Sequence, residues 1–429
     1  SKRKIDVWDM GAVQEADTSK YNNNITASDW DSCANVSQAG KFVAGETTFG
    51  DLTINHIAND RLFSTSSKNY GTNALATTAY DDGYTAGGMY YCNGTGGETR
   101  RNVTINNVIA GDKIVVYMAS SNAATGTLVF KYLGEDNEQV EKASFTNKGT
   151  KYEFVAKYSG SYKVYTDAAA GKPIYNRIVR IPGVAVSGTI DGAQLSGYKV
   201  MFKDEANGIT YDADIKGNTF TATLAAGCNY TAVLSGVAGY GFSNATKNIS
   251  TTVDEALTGK SGVTLSIEEK KVYTYTGKVT GFAADYDTSN LSVKLVADSS
   301  SLADDVILKL DSEKAFTATL EPDVKYTVEL IGVNDYEVLS GGEIISQVSY
   351  SRDIEVSARR LYKAAGKFAG LDGNTAVTDV KFTNVDDKYI YTGKVTTDGY
   401  EVMLRNGSYS IEAVADGYRT TTHIVVSDA

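Results

Sequence analysis

The amino-acid sequence predicts an all-β protein made of tandem β-sandwich domains. The first observation is a repeat, because Gly188, Gly277 and Gly366 each lie inside a predicted strand and recur at an interval of 89 residues. The second is composition: 29 tyrosines and 41 glycines accompany only 3 prolines, and threonine and valine are frequent, which is typical of strands. The third is an alternation of apolar and polar residues, which indicates sheets that cover a core on one face.

The repeat divides the 429 residues into four predicted domains. We expect an amino-terminal domain at 1–183, then module 1 at 184–270, module 2 at 271–360 and module 3 at 361–429. A fixed interval of this size indicates domains of one type, each with its own small core.

Each module closes with an alternating strand, a turn and a tyrosine, which we interpret as a hairpin. In module 3 the turn is Asn406-Gly407, and both positions tolerate positive φ, as a two-residue hairpin turn requires. The strand and its tyrosine are 220–224 with Tyr230, 316–320 with Tyr326, and 400–404 with Tyr409.

On the opening glycine strand and the Leu-turn-Tyr pattern, residues 184–429 resemble the carboxypeptidase regulatory-like, or transthyretin-like, β-sandwiches. The resemblance implies a transthyretin- or immunoglobulin-like fold and no particular function. Lys294 and Lys381 stand in a recurring strand, and adhesin repeats can join such a lysine to an asparagine by an isopeptide bond. Alternation directs both lysines away from the core, so we expect solvated side chains.

The amino-terminal domain is predicted to be a jelly-roll-like sandwich. The sequence 152–158 followed by 161–167 predicts a hairpin, and the long stretch 59–99 shows weak periodicity. A long irregular excursion from a sandwich is often its functional part. The predicted strands are 4–10, 41–49, 102–108, 113–119, 126–132, 151–158, 161–167 and 176–181.

Several phrases of this domain are similar to the ancillary β-domains of clostridial pectate lyases and pectin esterases. They lie at 7–12, 60–65, 83–91, 110–114 and 160–165. The resemblance implies a non-catalytic, carbohydrate-binding domain that precedes a β-helix enzyme in a bacterium that digests plant cell walls. Met10 and Phe63 depart from the family pattern, and Phe63 stands where a second arginine often falls.

A sugar site needs flat aromatic rings and polar groups, and an acidic sugar also needs Arg, Lys or Ca²⁺. Residues 61–101 interleave basic residues with tyrosines, which fits a groove for an acidic sugar. The alternative is that these tyrosines divide between core and surface and that the arginines only solvate a loop. Trp30, in a Ser/Asn-rich loop, could be a sugar platform, whereas Trp8 lies in an apolar strand and is expected in the core. The predicted carbohydrate-binding residues are Arg61, Lys68, Tyr70, Tyr84, Tyr90, Arg100, Arg101 and Trp30.

Charge and cysteine content limit the other possibilities. The net charge of −11 disfavours nucleic acid, and the sequence lacks the apolar run of about 20 residues that spans a membrane. The three cysteines allow two alternatives. Either Cys33 and Cys92 form a disulfide and Cys228 is free, or all three are unpaired thiols. No cofactor is expected, although 81–83 and 285–290 could hold Ca²⁺ through oxygen ligands.

Together these features predict a secreted or cell-surface, extracellular monomer without catalytic residues. The first hypothesis is a plant-polysaccharide-binding, most simply pectin-binding, and spacer region of a larger secreted carbohydrate-active enzyme. The alternatives are a structural stalk or adhesin of a bacterial cell surface, and a polysaccharide-degrading enzyme. The start of the sequence lacks a signal-peptide core, so we expect a processed protein or a fragment.

Overall fold

A computed structural model describes residues 3–122, 125–167, 171–370, 376–415 and 418–429, with the side chains of 418–421 outside that description. The described residues form eight β-sheets and short helices at α1 (Ala27–Asp31), α2 (Glu255–Thr258) and a 3₁₀ turn (Ala74–Thr77). The predicted all-β class with several sandwiches is confirmed. No helix in the described part of the chain has the length and apolar character needed to cross a bilayer.

The chain forms two compact units, Ser1–Lys270 and Lys271–Ala429. The amino-terminal domain and module 1 belong to the first unit, and modules 2 and 3 belong to the second.

The amino-terminal domain is a sandwich of two sheets. The first has the order β11-β8-β13-β1-β2 and also carries β6 and β5, and the second has the order β10-β9-β12-β7-β4-β3. The strands are β1 (Ile5–Asp9), β2 (Tyr21–Asn23), β3 (Gly45–Phe49), β4 (Leu52–His56), β5 (Arg61–Phe63), β6 (Met89–Tyr91), β7 (Asn102–Val108), β8 (Lys113–Ser120), β9 (Gly126–Tyr132), β10 (Val140–Phe145), β11 (Thr150–Val155), β12 (Gly160–Thr166) and β13 (Pro173–Ile181).

Aromatic side chains fill the space between these two sheets. Trp8 and Phe130 are fully buried, and the Phe130 ring stacks on Tyr162 with ring centres 4.5 Å apart. The predicted core position of Trp8 is confirmed, and its indole Nε1 donates to the Phe49 carbonyl at 2.8 Å.

Module 1 is also a two-sheet sandwich, with orders β17-β18-β14-β22-β20 and β16-β15-β19-β21. Its strands are β14 (Val184–Gly192), β15 (Lys199–Asp204), β16 (Ile209–Asp212), β17 (Asp214–Lys216), β18 (Thr219–Leu224), β19 (Asn229–Ser235), β20 (Tyr240–Phe242), β21 (Asn248–Ser250) and β22 (Lys260–Glu269).

The core of module 1 is continuous with an apolar face of the amino-terminal domain. Val115 and Val179, on the first sheet of the amino-terminal domain, belong to the same apolar cluster as Phe220 and Leu224 of module 1. All eight residues of β8 are buried, because one face of this strand packs in the core of the amino-terminal domain and the other faces the cluster shared with module 1.

Polar contacts hold the same junction. The Tyr211 hydroxyl of module 1 donates to the Ala156 carbonyl at 2.9 Å. Arg3 donates through two nitrogens to the buried Asp112 carboxylate at 2.6 and 2.7 Å, and the Gly183 amide donates to the same carboxylate. Arg3, Asp112 and Gly183 all belong to the amino-terminal domain, so this bidentate pair anchors the residues that lead into module 1, whereas the Tyr211 bond crosses the junction itself.

The second unit contains two sandwiches. Module 2 has sheets β26-β23-β31-β28, with β30 beside β23, and β25-β24-β27-β29, and module 3 has sheets β32-β36-β35 and β34-β33-β37-β38. The strands are β23 (Tyr273–Thr280), β24 (Ser292–Ala297), β25 (Val306–Ile307), β26 (Ala315–Leu320), β27 (Lys325–Ile331), β28 (Tyr336–Ser340), β29 (Glu343–Ile345), β30 (Tyr350–Ser351), β31 (Ile354–Ala358), β32 (Tyr362–Lys367), β33 (Val377–Asn384), β34 (Ile390–Thr392), β35 (Lys394–Val395), β36 (Gly399–Leu404), β37 (Gly407–Ala415) and β38 (Tyr418–Val426).

All the predicted hairpins are wrong, although their strands exist. β18 pairs with β14 and β17, whereas β19 pairs with β15 and β21. The pairs β26/β27, β36/β37 and β11/β12 likewise lie in opposite sheets. An alternating strand buries one face whether its successor pairs with it or crosses the core, so the pattern alone did not distinguish the two arrangements.

A buried tyrosine fixes each of these crossings. The Ala225 amide donates to the Tyr230 hydroxyl at 2.8 Å, and the Glu321 amide donates to that of Tyr326 at 3.2 Å. The Tyr409 hydroxyl donates to the Arg405 carbonyl at 2.9 Å, and Tyr162 donates to the Tyr158 carbonyl at 2.8 Å. We call these four residues the crossing tyrosines. Their hydroxyls satisfy backbone groups where the chain leaves one sheet for the other, as a tyrosine corner does.

Replacing Tyr230 by Phe should lower the free energy of unfolding by about 1 to 3 kcal/mol, because the buried Ala225 amide would lose its acceptor. Chemical denaturation of the whole chain measures this change. Tyr240→Phe is the matched control within module 1: this ring is only half-buried, and water can replace its hydroxyl. Equal effects of the two substitutions would contradict the structural role of the crossing tyrosine.

Candidate functional site

An arginine and two tyrosines form a surface patch on the amino-terminal domain. Arg61 of β5 lies opposite Tyr91 of β6, and its guanidinium carbon is 4.4 Å from the Tyr70 ring centre and 5.2 Å from that of Tyr91. The Tyr70 ring is 39% exposed and packs edge-on against Phe63. We call Arg61, Tyr70 and Tyr91 the Arg61 patch.

Phe63, which packs against the rings of Tyr70 and Tyr91, lines a cleft of about 510 Å³ beside the patch. Phe63, Ser64 and Asn69 line it together with residues 71–74. No carboxylate in the described residues forms an ion pair with Arg61, so its charge can act on a ligand. A cation and accessible aromatic rings are groups that an acidic sugar requires.

Two of the predicted carbohydrate-binding residues, Arg61 and Tyr70, are therefore brought together. The Lys68 ammonium instead donates to the Cys33 carbonyl at 2.6 Å, and Arg100 is exposed. Tyr91 was not selected from the sequence, although its position in the same tyrosine-rich stretch was a usable signal.

Trp30 lies in α1 rather than in a loop, which corrects the expected setting of a sugar platform. Its ring is fully buried, contacts Phe49 edge-on at 4.8 Å, and its Nε1 donates to the Met10 carbonyl at 2.9 Å. Thr26 caps the helix and exchanges hydrogen bonds with Asp29. The polar residues that suggested a loop are therefore helix-capping residues, and the indole offers no face to a ligand.

Tyr90 and Arg101 converge on one buried carboxylate. The Tyr90 hydroxyl donates to Asp60 at 2.7 Å, and the Arg101 Nε donates to it at 2.8 Å. Asp60 also accepts from the amides of Ile57 and Asn93. These bonds compensate the burial of the Asp60 charge, so Tyr90 and Arg101 stabilise the fold of the segment that follows β5.

Tyr84 takes part in a second arginine–tyrosine arrangement. The Arg177 guanidinium lies 3.8 Å from the Tyr84 ring centre and 4.6 Å from that of Tyr117. It also donates to Glu15 at 2.8 Å, while its buried Nε has no hydrogen-bond partner among the described atoms. We call Arg177, Tyr84 and Tyr117 the Arg177 stack.

A cleft of about 400 Å³ opens beside the Arg177 stack, between its rings and Val253 of module 1. Sequence reasoning missed Arg177. The available signal was a charged residue inside the apolar strand β13, where burial requires compensating contacts.

The hydroxyls of the stack are held by acids. Tyr84 donates to Asp9 at 2.7 Å, and Tyr117 donates to Asp82 at 2.5 Å. Burial raises the pKa of Asp9 to about 6, although the Tyr84 hydroxyl, nearby backbone amides and the Arg177 charge oppose the shift. Burial, reinforced by the hydrogen bond to Asp82, raises the pKa of Tyr117 to about 12. Both tyrosines are consequently neutral donors at physiological pH.

The sequence left several other possibilities open. Cys33, Cys92 and Cys228 are free thiols. Lys294 lies 3.3 Å from Asp305 and Lys381 lies 3.8 Å from Asp379 on the protein surface, in keeping with solvated lysines.

The two predicted calcium segments show ordinary turn contacts. Asp82 accepts from the Tyr84 amide at 3.0 Å, and Asp287 accepts from the Ser289 amide at 2.9 Å. Within the described ranges no three His, Cys, Asp or Glu side chains come together as a possible metal site.

Comparisons with known proteins give a limited result. No family model matches the chain, and no curated protein matches it. Among solved structures, the chain is similar to a streptococcal ancillary pilin, with 8% identity, a TM-score of 0.24, and coverage of 57% of this chain and 96% of that one.

Two further structures show similarity of the same order. For the TIE protein of Bacillus anthracis the identity is 12%, the TM-score 0.18, and the coverage 79% of this chain and 72% of that one. For the shaft pilin SpaA of Lactobacillus rhamnosus GG the identity is 14% and the TM-score 0.20, and the match covers 41% of this chain and 98% of that one. At such TM-scores the matches carry no argument about function. The resemblance to pectinolytic enzymes stays an expectation.

Because its folded-state pKa lies above its ordinary value of 3.8, Asp9 binds more protons in the folded than in the unfolded state between pH 4 and pH 6. Rising pH through this window therefore lowers stability. Relative to Asp9→Asn, the wild-type protein should lose about 3 kcal/mol of unfolding free energy between pH 4 and pH 7. Urea denaturation at several pH values measures the difference.

Tyr84→Phe provides a control of opposite direction. It removes a hydroxyl that lowers the pKa of Asp9, so the loss of stability should extend to higher pH. Parallel stability curves for the wild type and Asp9→Asn would contradict the assignment.

Proposed function

We propose that this chain is a non-catalytic structural section of a bacterial cell-surface protein, of the stalk or adhesin kind. Such a section holds its domains at fixed spacing and resists bending between them. The observation that carries the proposal is the junction within the first unit, where one apolar cluster contains residues of both the amino-terminal domain and module 1.

The connection between the two domains adds to this support. β13 ends at Ile181 and β14 begins at Val184, which leaves two residues between strands of different sandwiches. The amide of Gly183 is held by Asp112, a fully buried side chain. A short and hydrogen-bonded connection with a shared core differs from the flexible linkers that allow domain motion.

The two tryptophans of the chain, Trp8 and Trp30, both lie in the amino-terminal domain, so tryptophan fluorescence reports the unfolding of that domain. Leu224→Ala removes a buried side chain from module 1 and should cost about 2 to 5 kcal/mol. If the domains are coupled, the tryptophan transition should move to lower denaturant concentration.

Leu320→Ala, at the corresponding strand end of module 2, is the matched control. Leu320 is equally buried but lies in the other compact unit, so the tryptophan transition should not move. A transition that Leu224→Ala leaves unchanged would mean that the domains unfold independently, and the stalk proposal would lose its main support.

A second candidate function is the binding of an acidic plant polysaccharide, such as pectic homogalacturonan, at the Arg61 patch. One observation favours it: a guanidinium without a carboxylate partner among the described residues lies within about 5 Å of two tyrosine rings, and Phe63, which packs against both rings, lines a neighbouring cleft. In this reading the modules serve as the spacer of a secreted enzyme, and the ligand contacts Arg61 and Tyr70.

Affinity electrophoresis on homogalacturonan, with xylan and cellulose for comparison, tests this function. Arg61→Ala should weaken retardation on homogalacturonan at least about tenfold, since hydrogen bonds to charged groups contribute roughly 1.5 to 3 kcal/mol. Lys142→Ala removes an exposed positive charge from β10, on the other sheet, and should have little effect. Absence of retardation on every polysaccharide would exclude this candidate.

A further inference from the structure

The first and last strands of module 1 lie side by side and run in the same direction. β14 opens the module and β22 closes it, and the register pairs Val186 with Lys260 near one end and Gly192 with Ile267 near the other. The two strands are neighbours inside their sheet, with β18 on the far side of β14 and β20 on the far side of β22. We call β14 and β22 the parallel pair of module 1.

The direction of the strands decides where the chain enters and leaves this module. The chain enters at Val184, where β14 begins, and leaves at Glu269, where β22 ends. Because the strands are parallel, these two points lie at opposite ends of the pair. Tension along the chain therefore acts to slide one strand past the other, and it loads all the hydrogen bonds of the evenly spaced ladder at once.

The amino-terminal domain has the opposite geometry. Its first strand, β1, runs antiparallel to its last strand, β13, with Asp6 opposite Arg180. The points at which the chain enters and leaves this domain therefore lie at the same end of the strand pair. Tension applied there would separate the two strands one hydrogen bond at a time. Resistance to sliding is thus a property of particular domains and not of every sandwich in the chain.

Apolar burial adds to the resistance of the parallel pair. Val186 and Ile190 of β14 and Leu265 and Ile267 of β22 are each at most 5% exposed, and all four belong to one apolar cluster. A slip of one residue would turn the side chains of a strand to the opposite face of the sheet. Sliding must therefore break the ladder and remove apolar side chains from the core together.

Two glycines of β14 are fitted to the strand beside it. A Cβ on Gly188 would lie 1.9 Å from the Val263 carbonyl oxygen, and one on Gly192, whose φ is +86°, would lie 2.2 Å from that of Ile267. The Ala193 amide then donates to the same Ile267 carbonyl at 3.0 Å. Only glycine permits the two backbones to approach this closely.

Module 2 repeats this arrangement. β23 runs parallel to β30 and β31, and the Arg352 amide between those two strands donates to the Thr276 carbonyl at 2.9 Å. A Cβ on Gly277 would lie 2.1 Å from the Arg352 carbonyl oxygen, and one on Gly281 would lie 2.0 Å from that of Val356. Both glycines follow their counterparts in module 1 by 89 residues, so the repeat preserves the parallel pair.

We propose that modules 1 and 2 carry tension along the chain and that the parallel strands of each module are the element that resists it. This inference rests on the proposed structural function, because a stalk or adhesin that joins a cell to another surface is pulled along its length. Forced unfolding is governed by the rate of unfolding and not by equilibrium stability. The load-bearing role is therefore a property separate from the coupling of domains within the first unit.

Pulling module 1 in two directions with optical tweezers, in the whole chain, tests the proposal. The shear variant carries its handles at Ala185→Cys and Glu269→Cys, and the peel variant carries them at Gln194→Cys and Glu269→Cys. All three positions are exposed, and Gln194 lies at the end of the pair where β22 finishes. Cys33→Ser in both variants keeps the handles off the half-buried native thiol.

At the same loading rate the shear variant should unfold at a force at least about twofold higher, because its ladder is loaded as a whole whereas the ladder of the peel variant breaks bond by bond. A release of roughly 250 Å, the length of the extended residues between the handles, identifies the unfolding of the module. Equal forces, or a higher force in the peel variant, would overturn the proposal.

Gly188→Ala, introduced into both variants, supplies a second measurement. Its methyl group would meet the Val263 carbonyl oxygen and push the parallel strands apart, so the ratio of shear force to peel force should fall toward one. A general loss of stability lowers both forces and does not imitate this result. An unchanged ratio would contradict the assigned role of the pair, and if the variant does not fold, the first comparison decides alone.

The outcome is distinguishable from that of the structural proposal. Equal shear and peel forces, together with a tryptophan transition that Leu224→Ala does move, would remove the load-bearing role and leave the structural function. A high force ratio with domains that unfold independently would support the load-bearing role and count against the fused first unit.

Discussion

The fold depends on the places where the chain leaves one sheet and enters the opposite one. At these crossings backbone amides and carbonyls have no ladder partner, and burial would make them costly. At all four crossings a tyrosine supplies the missing partner. Its ring packs in the core and its hydroxyl forms a hydrogen bond with a backbone amide or carbonyl. The same device in the amino-terminal domain and in all three modules explains part of the high tyrosine content, which composition alone suggested was suited to sugar contacts.

The buried polar residues of the amino-terminal domain are likewise satisfied by hydrogen bonds within the fold. Asp60 gathers Tyr90 and Arg101, and Asp9 holds Tyr84 against Arg177. Basic and aromatic residues interleaved along the sequence therefore separate in space into buried networks and the half-buried Arg61 patch, in which Tyr70 is exposed. A linear cluster of arginines and tyrosines does not by itself predict a binding groove, because a strand sends neighbouring side chains to opposite faces.

The two compact units use the repeated sandwich differently. In the first unit, module 1 buries its apolar surface against the amino-terminal domain, which converts two domains into one body. In the second unit, module 2 completes its first sheet with β31, which runs parallel to β23, and its apolar cluster contains residues of module 2 alone. A single sequence pattern thus produces one sandwich whose core is continuous with a neighbouring domain and one whose core is separate, according to what lies beside it.

The sequence by itself determined the all-β class, the period of the modules, eight strands of the amino-terminal domain and the buried position of Trp8, because alternation and residue type act locally. It missed short strands such as β2, β5 and β6, which lack a full alternating run and are held by their neighbours. Only the tertiary structure decided which strands pair, that the predicted hairpins are crossings, and that Trp30 is buried. It also decided that Arg61 meets Tyr91 and that Arg177 lies between tyrosines. The physical reason is that pairing partners, shared cores and compensated charges depend on residues far apart in the chain, which no local pattern encodes.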